Sequence, residues 1–380
     1  MVVLESWRRP SGGNMTWFNM KHYLLLSFVT FKVLEWSRSL TILPLWDLLS
    51  YVLVLASCYW AGFVGFRYLK RHTLAFTVAS YKKAVLITGC DTGLGNMLAR
   101  KLAPRGFQVL AGCLDPTSPE SKQLAAVENV HVLPLDVTSN ESLSEALRTT
   151  SAKLKESGND LWCVVCNAGI CEVGEFEWQS LESIQQTFDV NVMGVVRTVK
   201  TFLPALRASK GRIVLNASVL STTASPAFVA YSMSKAAVAS LGEGLKRELQ
   251  VWDVDVCTVQ AALYNTGILR LEQVKSEFFN KRLPELPEDL RADYGDEYFA
   301  SFWENIPRRL QKHSNPYPEE AVDVLYHAIT TVWPETHYRV GSWRQVITHN
   351  FLDFLPVEVA DLMFENLLKM PTLPNALAKA

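Results

Sequence analysis

Lys83-Ala84-Val85-Leu86-Ile87-Thr88-Gly89-Cys90-Asp91-Thr92-Gly93-Leu94-Gly95 is the stretch on which the fold turns. Residues 84–87 form a short aliphatic strand that runs straight into the glycines, and Met97, Leu98 and Leu102 follow at helical spacing. Glycines at 89, 93 and 95 allow a tight turn, a close approach by a pyrophosphate and a helix lying near the strand. The first turn of that helix would offer amide donors and the positive end of its dipole to phosphates. A glycine triplet alone is weak evidence. Here a second strand, 108–114, follows at βαβ spacing, so a doubly wound parallel α/β sheet of the Rossmann type is expected. Thr88, Gly89, Asp91, Gly93, Leu94 and Gly95 are the residues of this turn expected to hold a dinucleotide.

Outward from the turn, the second strand ends at Asp115, the only acid there. A carboxylate at that point can accept from the adenosine ribose hydroxyls of NAD and repels the extra phosphate of NADP, so NAD is favoured over NADP. Asp115 also stands just before Pro116 and reads equally as a turn cap. A third strand, 130–135, delivers Asp136, Val137 and Thr138 to the same sheet edge, where a carboxylate can meet an adenine amino group. The same Asp-Val-Thr is an ordinary helix N-cap sequence. Strand four, 162–166, ends in Asn167-Ala168-Gly169, whose small side chains let a ribose lie against backbone. A helix around Phe188 then carries Asn191 and Gly194, and strand five covers 212–215.

After strand five comes Asn216-Ala217-Ser218, and thirteen residues later Tyr231-Ser232-Met233-Ser234-Lys235 opens an alanine-rich helix. Tyr231 and Lys235 are four apart and share a helix face. A phenol is a poor base at neutral pH, and a neighbouring ammonium would stabilise its phenolate. Ser218, at the end of the adjacent strand, can hydrogen-bond a substrate oxygen as it passes between alcohol and carbonyl. Singly, each residue has a plain explanation: a chance pair on a helix, or a turn serine. Their order and spacing after a dinucleotide turn point jointly to proton transfer by Tyr231.

The motifs Thr88 to Gly95, Asp136, Asn167-Ala168-Gly169, Asn191, Ser218 and Tyr231 with Lys235 resemble the short-chain dehydrogenase/reductase superfamily over roughly residues 82–345. Within it, the glycine turn, Thr201-Phe202-Leu203-Pro204, Lys210-Gly211-Arg212-Ile213-Val214 and Asp293-Tyr294-Gly295-Asp296-Glu297-Tyr298 are similar to the branch of 17β-hydroxysteroid dehydrogenase type 2, 11β-hydroxysteroid dehydrogenase type 2 and the retinol dehydrogenases. The resemblance implies a catalytic tetrad of Asn191, Ser218, Tyr231 and Lys235. In it Asn191 would hold a water in the proton relay, and Lys235 would also bind the nicotinamide ribose. It further implies a membrane-bound enzyme of the endoplasmic reticulum, acting on steroid or retinoid alcohols. Two positions depart from the family pattern. Cys166 stands where a first Asn is usual, and Gln260-Ala261-Ala262-Leu263 stands where Pro-Gly usually follows strand six. The missing glycine removes easy access to positive φ where backbone approaches the nicotinamide. Thr266 remains available for the carboxamide.

Residues 263–310 mix aromatic and apolar side chains with charged ones at irregular spacing and are expected to form a lid over a lipophilic pocket. Residues 1–81 are expected to be an anchor region: 48–66 carry no formal charge and are largely apolar, a length near the hydrocarbon thickness of a bilayer. A shorter apolar stretch, 23–31, reads as interfacial or half of a re-entrant hairpin, and the basic residues after 66 favour a cytosolic catalytic domain. The tail, 346–380, offers a further apolar surface for the bilayer or the pocket. With 37 basic and 38 acidic side chains the formal net charge is -1, which argues against a nucleic-acid partner. The seven cysteines sit mostly in apolar runs and suit buried thiols. Cys163 and Cys166 form a single CxxC inside a strand, so no metal site is expected. The chain is thus read as an NAD-linked dehydrogenase interconverting a secondary alcohol and a ketone on a lipophilic molecule such as a steroid. A membrane is an expected partner and a homodimer is left open. The alternatives are a retinol or short hydroxy-acid dehydrogenase, or a nucleotide-binding membrane protein with impaired turnover.

Overall fold

A computed structural model describes the helix at 44–72, residues 76–266 and 271–353, and short pieces of both termini. The nucleotide stretch folds as expected. Strand β1 (Lys83–Thr88) leads through the glycines into helix α2 (Gly93–Leu102), with α1 (Pro44–His72) preceding both. Then come β2 (Gln108–Cys113), α3 (Pro119–Ala125), β3 (Val130–Pro134), α4 (Asn140–Ser157) and β4 (Asp160–Cys166). The second half contributes α5 (Leu181–Phe188), α6 (Gly194–Ser209), β5 (Arg212–Ser218), α7 (Val229–Leu249) and β6 (Asp255–Ala261). Helices α8 (Leu271–Glu277), α9 (Glu288–Tyr294), α10 (Asp296–His313) and α11 (Glu319–Thr330), with a single turn at Leu283–Glu285, precede β7 (His337–Val340) and α12 (Trp343–Leu352).

The seven strands β1–β7 lie in the order β3-β2-β1-β4-β5-β6-β7, and every neighbouring pair is parallel. Parallel pairing demands crossovers, and these helices cover both faces, so the strands are buried on both sides. In β1 the alternation is direct. Val85 and Ile87 pack with Leu98, Leu102, Leu325 and Ile329 of α2 and α11, while Ala84 and Leu86 face Leu143, Phe202 and Leu206 of α4 and α6. Burying each of the larger aliphatics contributes about 1.5–3 kcal/mol. Helix limits follow local chemistry: Ser139 caps α4 by accepting from the Ser142 amide, and Gly158, in the left-handed region, ends it. Strand order reverses between β1 and β4, the switch point at which such sheets bind ligands beyond their strand ends.

The expected membrane anchor is overturned. Residues 48–66 do lie in α1, but among the described residues no helix is long and apolar enough to cross a membrane. Ser50, Ser57, Gly62 and Gly65 dilute its apolarity, and Cys58, Gly62 and Phe66, each four residues from the next, form a buried stripe. The anchor reading of 1–81, the membrane partner, the endoplasmic-reticulum placement and the cytosolic orientation inferred from it all fall with that finding. The expected segment 23–31 lies largely outside the described residues, as do Leu362, Met363, Phe364 and Leu367 of the tail.

Candidate active site

At the switch point the glycine turn is built against the end of β4. Gly89 has φ +71°, and a Cβ there would stand 2.8 Å from the Ala168 Cα; a Cβ on Gly95 would stand 2.4 Å from the Gly89 carbonyl oxygen. Both positions therefore exclude any side chain. Gly93 differs: at φ +63° its nearest neighbour for a Cβ is the Thr266 side chain at 4.0 Å. The first amides of α2, at Gly93 and Leu94, and the positive end of its dipole make a cradle suited to a pyrophosphate, and Thr266 borders it at van der Waals range of a Gly93 Cβ.

The polar side chains around this turn bond to one another's backbone. The Thr88 hydroxyl accepts from the amides of Asn167 and Ala168, both at 3.0 Å, and Asn167 donates its amide to the carbonyls of Thr88 and Gly89, each at 3.0 Å. Asp91 accepts from the amides of Leu114 (3.0 Å) and Asp115 (2.8 Å), tying the turn to the end of β2. Asp115 itself is exposed, and its carboxylate accepts from the Thr117 hydroxyl and amide, which hold it below the usual carboxylate range. Asp136 likewise accepts from the Thr138 amide and hydroxyl, and Val137 beside it is buried against Gly194. Both carboxylates adopt the local turn that their sequences also allowed, and each stands at a strand end on the nucleotide side of the sheet.

Ser218, Tyr231, Lys235 and Asn191 converge at the mouths of β4 and β5. Ser218 ends β5, is buried, and is the hydrogen-bonding neighbour of the Tyr231 phenol. Tyr231 and Lys235 lie in the first turns of α7, with the Lys235 Nζ 5.6 Å from the centre of the Tyr231 ring. The ammonium donates to the Asn216 carbonyl at 2.9 Å. Burial pushes Lys235 down to about 8 and raises the Tyr231 phenol well above its ordinary value, Cys171 adding to that rise and Ser218 opposing it. Loss of water is the largest influence on the phenol, and Ser218 is the group that lowers it. Asn191 sits in a π-helical segment, Asp189–Met193, fully buried. Its side chain accepts from the Ile170 amide (2.8 Å) and donates to the Ile170 carbonyl (2.9 Å) and the Ser234 hydroxyl (3.0 Å). A Cβ on Gly169 would meet Asn191 Oδ1 at 3.2 Å and Lys235 Nζ at 3.5 Å, so the small residues after β4 border this group directly.

Sequence reasoning passed over Asn216, Ser234 and Cys171. Asn216 was within reach, because it lies two residues before Ser218 on the same strand face. Cys171 carried no signal: its thiol, pushed up to about 12 by burial, neighbours Tyr231 and Lys235 only through the path of the loop after β4. The departure at Ala261-Ala262 is absorbed by β7. Neither alanine takes a positive φ, the Ala262 amide donates to the Val340 carbonyl at 2.8 Å, and a Cβ on Gly341 would stand 2.7 Å from that of Ala262. Glycine at 341 makes the room that a side chain at 262 requires.

Above the cleft, Trp178, Phe278, Tyr298, Phe299, Phe302 and Trp303 form a third buried cluster with Val173 and Phe228. Trp178 lies 4.9 Å from both Phe299 and Phe302, ring centre to ring centre. A cavity of about 780 Å³ runs beneath α8 and α10, lined by Leu263, Thr266, Leu271, Pro307 and Leu310 among others.

A sheet of this order, a glycine cradle at its switch point and a serine, tyrosine and lysine at the adjoining strand and helix ends define a dinucleotide-dependent alcohol dehydrogenase. The short chain dehydrogenase family model matches residues 83–275, and the chain belongs to that family. It is an NAD(P)-dependent short-chain dehydrogenase acting on CH-OH groups. It is 33% identical over 306 residues to the mitochondrial D-beta-hydroxybutyrate dehydrogenase of Rattus norvegicus, covering 73% of this chain and 89% of that protein. It is also 33% identical to the 17-beta-hydroxysteroid dehydrogenase type 6 of Homo sapiens, over 80% of this chain and 95% of that one. A short-chain dehydrogenase/reductase from Burkholderia phymatum, solved in complex with NAD, shares the fold with a TM-score of 0.58 at 23% identity, over 78% of this chain and 98% of that one.

Proposed function

We propose that the chain interconverts a secondary alcohol and a ketone on an uncharged lipophilic molecule of the steroid class, with Tyr231 exchanging the hydroxyl proton. The observation that carries this is the meeting of Ser218, Tyr231 and Lys235 at the end of β5, separated from the glycine cradle after β1 only by β4. A bound nicotinamide supplies the two-electron hydride chemistry. Thr88, Gly89, Asp91, Gly93, Leu94, Gly95, Asn167, Ala168 and Gly169 would hold its phosphates and ribose, Thr266 would serve its carboxamide, and Asp136 and Val137 would serve its adenine. Ser218 orients the substrate oxygen, and Tyr231, held protonated by burial, donates to a carbonyl or accepts once its own proton has been passed on. Lys235 aligns the relay from its bond to Asn216, and Asn191 fixes the loop at Ile170 that walls it. Residues 82–345 make up the dehydrogenase unit, with 263–310 as its lid.

The 17-beta-hydroxysteroid relative supports the steroid class, and the hydroxybutyrate relative keeps a short hydroxy acid as the second reading. Charge favours the first. Arg282, the one of several lid cations that pairs with the loop after Cys171, is held by Glu172 and, at 3.6 Å, by Glu277. A substrate carboxylate would have to displace those partners. Asp115, an exposed carboxylate at the ribose end, favours NAD over NADP. The test is turnover of hydroxysteroids, retinol and D-β-hydroxybutyrate with each dinucleotide, followed by cofactor absorbance. A hydroxysteroid with NAD is expected to give the highest kcat/KM. Faster turnover of hydroxybutyrate overturns the substrate class, and equal or better efficiency with NADP overturns the role of Asp115.

A further inference from the structure

Gln260 is a buried amide between Val259 and Ala261 of β6. Its register partners are Ala217 on β5 and Arg339 on β7, so it lies across the sheet immediately before Ser218. Its oxygen accepts from Arg339 Nη2 at 3.1 Å and Nε at 3.3 Å, while its nitrogen donates to the Ser221 hydroxyl at 2.9 Å. Ser221 in turn donates to the carbonyl oxygen of Ser218 at 2.6 Å. Arg339 is held from its other side by Asp353 and Asn350, each at 2.7 Å. A continuous line of hydrogen bonds thus runs from the end of α12, through Arg339, Gln260 and Ser221, to the backbone of Ser218.

We propose that Gln260 and Ser221 are positioning residues for the reaction: by clamping the Ser218 carbonyl they fix the backbone of Ser218 and aim its hydroxyl at Tyr231 and the substrate oxygen. The direction of the bonds carries the proposal. Arg339 can only donate, so it commits the Gln260 oxygen and turns the amide nitrogen toward Ser221. Ser221, having accepted there, presents its proton to the Ser218 carbonyl. Ser218 is the last residue of β5, paired in register with Ala261 of β6, and where the short turn Val219–Ser221 begins the Leu220 amide donates to its hydroxyl at 3.2 Å, so the Ser221 bond to its carbonyl adds a tie at the point where the strand ends. Polar groups in a buried line strengthen one another and enforce a single geometry, and small displacements of a reacting group cost up to about a hundredfold in rate. The inference rests on Ser218 being part of the proton-transfer site.

Ser221→Ala and Gln260→Glu test it in the full chain. Glutamate keeps the contact with Arg339 but can only accept from Ser221, drawing its proton away from Ser218. Each variant is expected to lower kcat about tenfold, with KM for the dinucleotide unchanged and the thermal midpoint close to that of the parent. Ser221→Thr, which keeps the hydroxyl, is expected to restore the rate. In a Ser218→Ala background Ser221→Ala should add no further loss, whereas a purely structural role would still lower the rate. If Ser218→Ala abolishes turnover but Ser221→Ala and Gln260→Glu keep parental kcat, the positioning role is wrong. If Ser218→Ala itself keeps parental kcat, the reading of the site beneath it is wrong.

Discussion

The two ends of the cleft are built on opposite terms. Around the glycine turn Thr88, Asp91 and Asn167 are bonded inward to backbone amides and carbonyls, and the turn is rigid before any ligand arrives. At the proposed catalytic end Lys235 is buried and Tyr231 half-buried, and loss of water drives both toward their uncharged forms. The first end recognises by fixed shape. The second keeps polar groups short of water so that charge developing on a substrate oxygen meets strong, unscreened neighbours.

Replacing Tyr231 by phenylalanine should separate the ends most sharply. Turnover is expected to fall by about a thousandfold or more, because the proposed proton-transfer group is gone, while dinucleotide binding, followed by tryptophan fluorescence, stays at the parental value. Retained turnover would remove Tyr231 from its assigned role.

The converse break is Gly95→Ala. An added methyl would meet the Gly89 carbonyl oxygen at 2.4 Å and Asn167 Nδ2 at 2.6 Å, so the turn must open against its own hydrogen bonds. A loss of about 1–3 kcal/mol in urea unfolding is expected, together with weakened dinucleotide binding. Parental affinity in this variant would mean that the turn is not the rigid element described.

Lys235 sharpens the contrast through pH. The folded chain gives up the Lys235 proton near 8, while an unfolded lysine keeps its proton to about 10.5. Between those values the unfolded state binds more protons, so stability contributed by this group rises with pH. Above about 10 the raised phenol of Tyr231 acts in the opposite sense, since the folded chain then retains a proton that the unfolded chain loses. Lys235→Met should therefore flatten the rise of the urea midpoint between pH 8 and 10, and a parental slope in that variant would contradict the burial effect.

The same division governs what the sequence disclosed. The rigid end is local: a strand, three glycines and a helix lie within twenty residues, and steric need leaves its mark in residue type at Gly89 and Gly95. The meeting of the proposed catalytic side chains was legible from spacing, because Tyr231 and Lys235 share a helix face and Ser218 ends a strand. What failed to show was whatever depends on the meeting of distant segments. Cys171 reaches Tyr231 by way of a loop, Gln260 reaches Ser218 through Ser221, and Gly341 makes room for Ala262 from another strand. The misreading of 48–66 came from averaging over composition. Its serines and glycines, and the four-residue stripe of Cys58, Gly62 and Phe66, outweigh the lack of charge.

The finest distinction concerns backbone strain. The nucleotide turn takes its positive φ values at glycines, Gly89 and Gly93, where they cost little, but the approach to α7 takes one at Ala227, φ +66°. Ala227 is buried in the aromatic cluster, and its carbonyl accepts from the Gly174 amide at 3.1 Å, so surrounding contacts hold it there. A left-handed alanine costs about 1 kcal/mol relative to its relaxed form. Glycine would remove that strain but add freedom to the unfolded chain, so Ala227→Gly should raise the urea midpoint only slightly, by about 0.5 kcal/mol in stability, and change kcat less than twofold. A fall in stability would show that the Ala227 methyl, packed near Phe228, contributes more than its backbone costs.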